Sequence, residues 1–211
     1  MHDAAIAEWS ARPWRAAPLV AFDLEGTGAQ DGADEAILEL AAIRLRGGLP
    51  DLATAYTTVV NPGRTVPRRA WISPGLTGDV LASAPRLDAV EPGLAARLDG
   101  CILVGHNIGV DWRLLHRRCP TVAPAALLDT LKLAGKLAVP GSHSLTALLD
   151  TLDLTTEVDA AGSRPHRALW DAAGAAVLLR GLISRSWSGE PTLGEVLTVA
   201  HRPHKPPDTL F

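Results

Sequence analysis

The spacing of apolar positions changes along the chain, and the changes mark its elements. Pro18-Leu-Val-Ala-Phe-Asp-Leu24 is a short apolar run closed by the turn signal Gly26-Thr27-Gly28, which predicts a first strand. Ala36 to Arg46, rich in Ile and Leu, and Ala53 to Val60, where Thr, Tyr and Val favour a pleated backbone, predict two more. Asn61-Pro62-Gly63 ends the third with a turn. After an irregular stretch, Leu87 to Leu98 carries helical spacing, Gly100 stops it, and Cys101 to Gly105 predicts another apolar strand. Apolar residues then recur at three- and four-residue intervals over Asp111 to Arg118, Ala125 to Leu137, Ser144 to Leu152 and His166 to Arg185, which predicts four helices. This order predicts an α/β fold, a mixed sheet with helices packed on it. His201 to Phe211 holds three prolines and no periodicity, so a disordered tail is expected from about residue 201.

Without internal repeats, the chain reads as one domain over 18–186 with extensions over 1–17 and 187–211. Its 211 residues are 47% hydrophobic and 20% charged, enough for one sizeable core. Asp3 and Glu8 interrupt the N-terminus, and Arg180 interrupts the apolar segment Ala172 to Leu179, so neither a signal peptide nor a membrane span fits. Cys101 and Cys119 have no partners at zinc-site spacing and read as reduced thiols of a cytoplasmic protein.

The formal net charge of −3 argues against a protein that coats nucleic acid by charge alone, since sequence-independent binding rests on many Lys and Arg contacts to phosphate. Any such contact must be local. Arginines cluster at Arg64, Arg68 and Arg69, at Arg113, Arg117 and Arg118, and at Arg164 and Arg167. Most suit solvated faces, but Arg113, Arg117 and Arg164 flank the candidate chemistry and are expected to steer a strand.

That chemistry lies in three groups. Strand alternation puts Leu19, Ala21, Asp23 and Glu25 on one side, so two carboxylates about 6.5 Å apart along the backbone can reach one hard cation; an acidic loop start facing water would read the same. Leu103-Val-Gly-His-Asn-Ile-Gly-Val-Asp111 runs from a strand through a glycine turn into a helix. There Asp111 can be a ligand or merely a helix cap, His106 a ligand or a hydrogen-bonded structural residue, and Asn107 a contact or a turn former. In Arg164-Pro-His-Arg-Ala-Leu-Trp-Asp171, Asp171 heads an apolar stripe with Gly174, Ala175, Leu178 and Leu182, and a carboxylate on a buried face needs a partner. Pro165 suits a helix start, which places His166 in the entry turn.

Taken together, these groups resemble the DEDDh, or DnaQ-like, proofreading exonucleases. Phe22-Asp-Leu-Glu-Gly-Thr-Gly28 is similar to the family's first motif, Gly105-His-Asn107 leading to Asp111 to its second, and His166 with Asp171 to its third. Asn61-Pro-Gly-Arg, Leu128-Asp-Thr-Leu131 and His143-Ser-Leu145 resemble connecting segments, and the likeness runs from about Leu19 to Arg185. Gly26 stands where Thr or Ser is more usual, and Val110 where an aromatic residue is common.

The resemblance implies a ribonuclease-H-like mixed sheet with helices on both faces and 3′→5′ hydrolysis of nucleic-acid ends, single-stranded DNA favoured. It also implies two divalent cations, magnesium or manganese, held by Asp23, Glu25, Asp111 and Asp171. His166 would be the general base, since an ordinary imidazole titrates near pH ~6.5. Leu24, Thr27, Gly28, His106 and Asn107 would hold the terminal nucleotide, DNA or RNA. A polymerase or sliding clamp is a further partner suggested by the resemblance, the clamp by the terminal Pro207-Asp-Thr-Leu-Phe211. Two other readings compete. Phe-Asp-Leu-Glu-Gly-Thr also resembles the opening motif of haloacid-dehalogenase-like phosphatases, although that leaves His166 and Asp171 unexplained. A non-catalytic nucleic-acid-binding subunit could keep the same fold.

Overall fold

The computed structural model describes residues 2–159 and 162–202, and through them the chain builds a mixed seven-stranded sheet between two layers of helices. In chain order the elements are α1 (His2–Ser10), β1 (Leu19–Gly26), β2 (Ile37–Arg46), the two-residue β3 (Leu49–Pro50), β4 (Tyr56–Val59), α2 (Gly78–Ser83), α3 (Leu87–Leu98), β5 (Ile102–Gly105) and α4 (Gly109–Arg118). They continue with β6 (Ala126–Asp129), α5 (Thr130–Lys136), α6 (Leu145–Thr151), α7 (Thr155–Asp159), α8 (Ala168–Ser186), α9 (Leu193–Ala200) and β7 (His201–Arg202). Strand order is β3-β2-β1-β5-β6-β7, with β4 also paired to β2. β1 runs antiparallel to β2 and parallel to β5, β5 runs parallel to β6, and β7 is antiparallel to β6.

The alternation of β1 sorts its residues between two cores. Leu19 and Ala21 pack with α5, α6, α8 and α9 on one face, while Val20 and Phe22 pack with α3 and α4 on the other. Each fully buried Leu or Phe contributes about 1.5–3 kcal/mol relative to an exposed position. α8 lies against the sheet through small residues: Ala172, Ala173, Gly174, Ala175 and Ala176 are all buried. A side chain at Gly174 would meet Leu145 and Leu149 at 3.2 Å, which ties α8 closely to α6. This arrangement bears out a ribonuclease-H-like sheet with helices on both faces.

The structure corrects several sequence expectations. Ala125 to Leu137 is not one helix: Ala126–Asp129 pairs rung by rung with Ile102–Gly105, and only then does α5 begin. All four of these strand residues are buried, and a short buried run looks alike in a strand or a core helix. Asp129 makes the switch, because its carboxylate accepts the Leu131 and Lys132 amides and so caps α5. Ala53 lies in a short 3-10 turn over Leu52–Thr54, so the strand starts later, at Tyr56. The last long helix starts at Ala168, three residues after Pro165, and His166 stands before it with φ +62°.

His201 and Arg202, expected to open a disordered tail, instead form β7; the remaining tail, including Pro207–Phe211, lies outside the described residues. The flanking segments also reach the core. Trp14 and, on α9, Leu193, Val196 and Ala200 are buried in the same cluster as α8.

Arg113 and Arg117 pair with Glu35, which is almost fully buried, and Arg118 donates to the carbonyls of Ala33 and Glu35. These arginines tie α4 to the loop before β2, so the expectation that Arg113 and Arg117 steer a strand gives way to a clamp inside the molecule. Arg167 likewise forks onto Glu39.

Candidate active site

β1 carries two carboxylates past the last rung it shares with β5, Ala21 opposite Val104. Asp23 and Glu25 continue the face of Leu19 and Ala21, the face that α8 covers. Asp171 stands in the first turn of α8, and its carboxylate meets those of Asp23 and Glu25 with the three ligand oxygens all within 4.8 Å of one another. Asp111 arrives from the first turn of α4 and is buried; its Oδ1 accepts the Leu24 amide at 3.2 Å, a backbone donor that β5 is too short to pair.

Bringing these acids together raises their pKa values. Burial is the largest cause for all four. Asp23 is pushed well above the ordinary carboxylate range, with Asp111, Asp171 and Glu25 adding repulsion. Glu25 rises to about 8, with Asp171 and Glu39 next in effect after burial. Asp111 rises to about 7 against the downward pull of the Leu24 amide, and Asp171 to about 6 against the pull of His166. Negative groups gathered in a site that disfavours their own charge fit a multivalent cation, and donors that are all carboxylate oxygens suit a hard one. His166 is exposed beside Asp171, and its carbonyl accepts the Ser73 hydroxyl.

Residues 20–179 match the model of a family described as Exonuclease, RNase_T. The chain belongs to this exonuclease family. Its relatives include a DNA polymerase III subunit epsilon-like protein of Rhodobacter capsulatus, 31% identical over 85% of this chain and 26% of the relative. The DNA polymerase III subunit epsilon of Aquifex aeolicus is 29% identical over 80% of this chain and 82% of its own length. Against the Rhodobacter protein, and still more against PolC-type polymerases of Thermotoga, of which it covers 10%, the chain spans a small part of the relative. Among solved structures, Exonuclease X in complex with 5′ overhanging duplex DNA superposes with a TM-score of 0.60 at 25% identity, covering 84% of this chain and 98% of that one. The DEDDh nuclease domain of 3′hExo bound to rAMP gives 0.60 at 14% identity over 80% and 92% of the two chains, a likeness of fold. The resemblance to DEDDh exonucleases is thereby borne out, and the phosphatase reading falls.

In this exonuclease-family chain the other expected site residues have mixed placements. Leu24 is half-buried, and its side chain packs on the α3 and α4 side of the sheet, away from the acids. Thr27 is 0% exposed: its hydroxyl accepts the Ala36 amide, and its carbonyl accepts from Gln30, Arg69 and Trp71, so its side chain builds the turn. Gly28 holds φ +98° beside it. Gly26 follows a bulge after Glu25, where a Cβ would meet the far end of Leu114 at 2.9 Å and the Ala36 carbonyl at 3.3 Å. Val110, the other departure, is 53% exposed.

His106 is engaged at both ring nitrogens, with the Thr130 hydroxyl at 3.0 Å and the His143 carbonyl at 2.9 Å, and burial lowers its pKa. That is the hydrogen-bonded structural option. Asn107 takes φ +61°, its amide donating to Asp129 and its side-chain carbonyl lying 3.5 Å from Arg202.

Sequence reading missed Glu39, which lies opposite Glu25 across the β1–β2 ladder. Arg167 neutralises it, and its carboxylate also accepts the first amide of α8, from Ala168, at 3.3 Å. A lone charge inside Ile37-Leu-Glu-Leu-Ala41 was the available signal, because a buried charge demands a partner. Trp71 was missed as well. It is 57% exposed, its indole N–H on the Thr27 carbonyl at 3.2 Å and the Arg69 guanidinium 5.6 Å from its ring.

Proposed function

We propose that this chain is a metal-dependent 3′→5′ exonuclease that hydrolyses the terminal phosphodiester of nucleic acid, favouring single-stranded DNA and releasing nucleoside 5′-monophosphates. The observation that carries the reading is the convergence of Asp23, Glu25 and Asp171 within 4.8 Å, from a strand and a helix 146 positions apart (171 − 25), with Asp111 beside them. Asp23, Glu25 and Asp171 would hold one divalent cation, magnesium or manganese, and Asp111 with Asp23 would support a second. Such ions, when bound, neutralise phosphoryl charge and ease deprotonation of water.

The chain's own residues do the rest. His166, exposed beside Asp171, would accept the proton of the attacking water as its oxygen bonds to phosphorus and the bond to the 3′-oxygen of the preceding nucleotide breaks, that oxygen taking a proton from solvent. Its exposure leaves the imidazole room to meet a water, and the Ser73 hydroxyl on its carbonyl fixes the backbone from which it swings. Backbone from Leu24 to Gly28 and the side chain of Asn107 would hold the terminal nucleotide. Trp71 offers an aromatic face on which a base can stack, a contact every base can make.

The test is a panel of end-labelled single- and double-stranded DNA and RNA oligonucleotides incubated with pure protein and Mg²⁺ or Mn²⁺. Stepwise release of 5′-mononucleotides from 3′ ends, abolished by EDTA, is expected. Internal cuts or release from 5′ ends would overturn the assigned reaction, and no release with any ion would favour a non-catalytic binding subunit.

A further inference from the structure

β7 lies beyond residue 179, where the family match ends, yet it reaches the loops of the candidate site. His201 and Arg202 pair with Leu128 and Leu127 at the outer edge of β6, and Lys132 Nζ holds the His201 carbonyl at 2.7 Å. From there Arg202 Nε donates to Asp129 Oδ2 at 2.6 Å, and its Nη2 lies 3.5 Å from the side-chain oxygen of Asn107. Asp129 is 0% exposed. Its other oxygen accepts the Asn107 and Leu131 amides, each at 2.9 Å. One buried carboxylate therefore joins three segments: the turn that carries Asn107, the start of α5, and β7.

A buried carboxylate needs a compensating charge, and Arg202 supplies it to Asp129. The planar guanidinium suits the role, since one nitrogen can serve Asp129 while another reaches Asn107. Asn107 is held at positive φ, a conformation that persists only where surrounding contacts over-determine it. Four residues later the same turn delivers Asp111 to the Leu24 amide.

We propose that Arg202 is a positioning residue of the nuclease site: through Asp129 it fixes the Asn107 turn, and so the group that meets the terminal nucleotide. This rests on the exonuclease reading above. The experiment uses the full chain and its Arg202→Ala and Arg202→Lys variants. Two quantities are read: KM and kcat on a 3′-labelled single-stranded oligonucleotide with Mn²⁺, and hydrogen exchange at the Asn107 amide, which needs no activity.

Arg202→Ala is expected to raise KM about tenfold or more and to speed Asn107 exchange by a similar factor, with millimolar guanidinium restoring part of both. Arg202→Lys should fall between, and it serves alone if the Ala variant does not fold. A role in stability only would reduce the active fraction and leave KM unchanged. Parent-like KM together with parent-like Asn107 exchange overturns the proposal. An inactive parent overturns the nuclease reading instead, and Asn107 exchange unaltered in both variants overturns the anchoring of the turn whether or not the parent cleaves.

Discussion

Burial raises the pKa of each acid in the cluster, and that direction sets how the metal-free protein responds to pH. Glu25 rises from 4.5 to about 8 and Asp171 from 3.8 to about 6 on folding. Between those limits the folded chain keeps protons that the unfolded chain has released, so stability is greatest below the unfolded values and declines as pH rises toward about 8. In EDTA, the Tm should fall between about pH 5 and pH 8, and added Mn²⁺ should restore it most at the alkaline end. Asp171→Asn should flatten that decline, because it removes one titrating group and relieves its neighbours. A Tm slope identical in parent and Asp171→Asn would mean the acids do not share one field. The same residues are expected to fail differently in catalysis. Asp23→Asn should nearly abolish cleavage and metal binding. His166→Ala should keep metal and strand binding while losing about 10²- to 10⁴-fold in kcat, with a residual rate that climbs with pH. Parent-rate cleavage by His166→Ala under saturating Mg²⁺ would remove it from the reaction.

The element that frames the site is α4, which delivers Asp111 at its start and is fastened further along by arginines. Glu35 accepts from Arg113 at two oxygens and from Arg117 at one, and the Arg113 hydrogen bond is the first cause of its lowered pKa. Removing Arg113 leaves part of a buried acceptor unsatisfied, at a cost of about 1–3 kcal/mol. Arg113→Ala should therefore lower the urea midpoint while leaving KM for oligonucleotide near the parent value; a raised KM at unchanged stability would return Arg113 to strand steering. Arg164 is exposed on the loop before α8 and keeps that expectation, so Arg164→Ala should raise KM and flatten its salt dependence. Element boundaries in the sequence were clearest where side chains cap or alternate, as at β1 and at Ser144 before α6. They were hidden at Ala126–Asp129, where four consecutive buried residues suit either backbone.

At the scale of the whole molecule, the segments around Trp14 and α9 belong to the core. Leu193 on α9 is 0% exposed among residues of α8, and Leu193→Ala should cost about 2–5 kcal/mol by denaturant titration, in a single transition shared with the rest of the fold. A separate early transition would instead make residues 187–202 an independent appendage. Among the described residues no helix is long and apolar enough to cross a membrane. The sequence by itself determined β1 and the pairing of Asp23 with Glu25 on one face, because strand alternation is a local rule. It also determined the helical stripe that carries Asp171, because periodicity records which side of an element is buried. Tertiary structure alone decided that Asp171 and Asp111 meet that strand, that Glu39 and Arg167 neutralise each other at its flank, and that Arg202 reaches Asp129. Those contacts join residues from 73 to 148 positions apart, and no local pattern encodes a partner so distant.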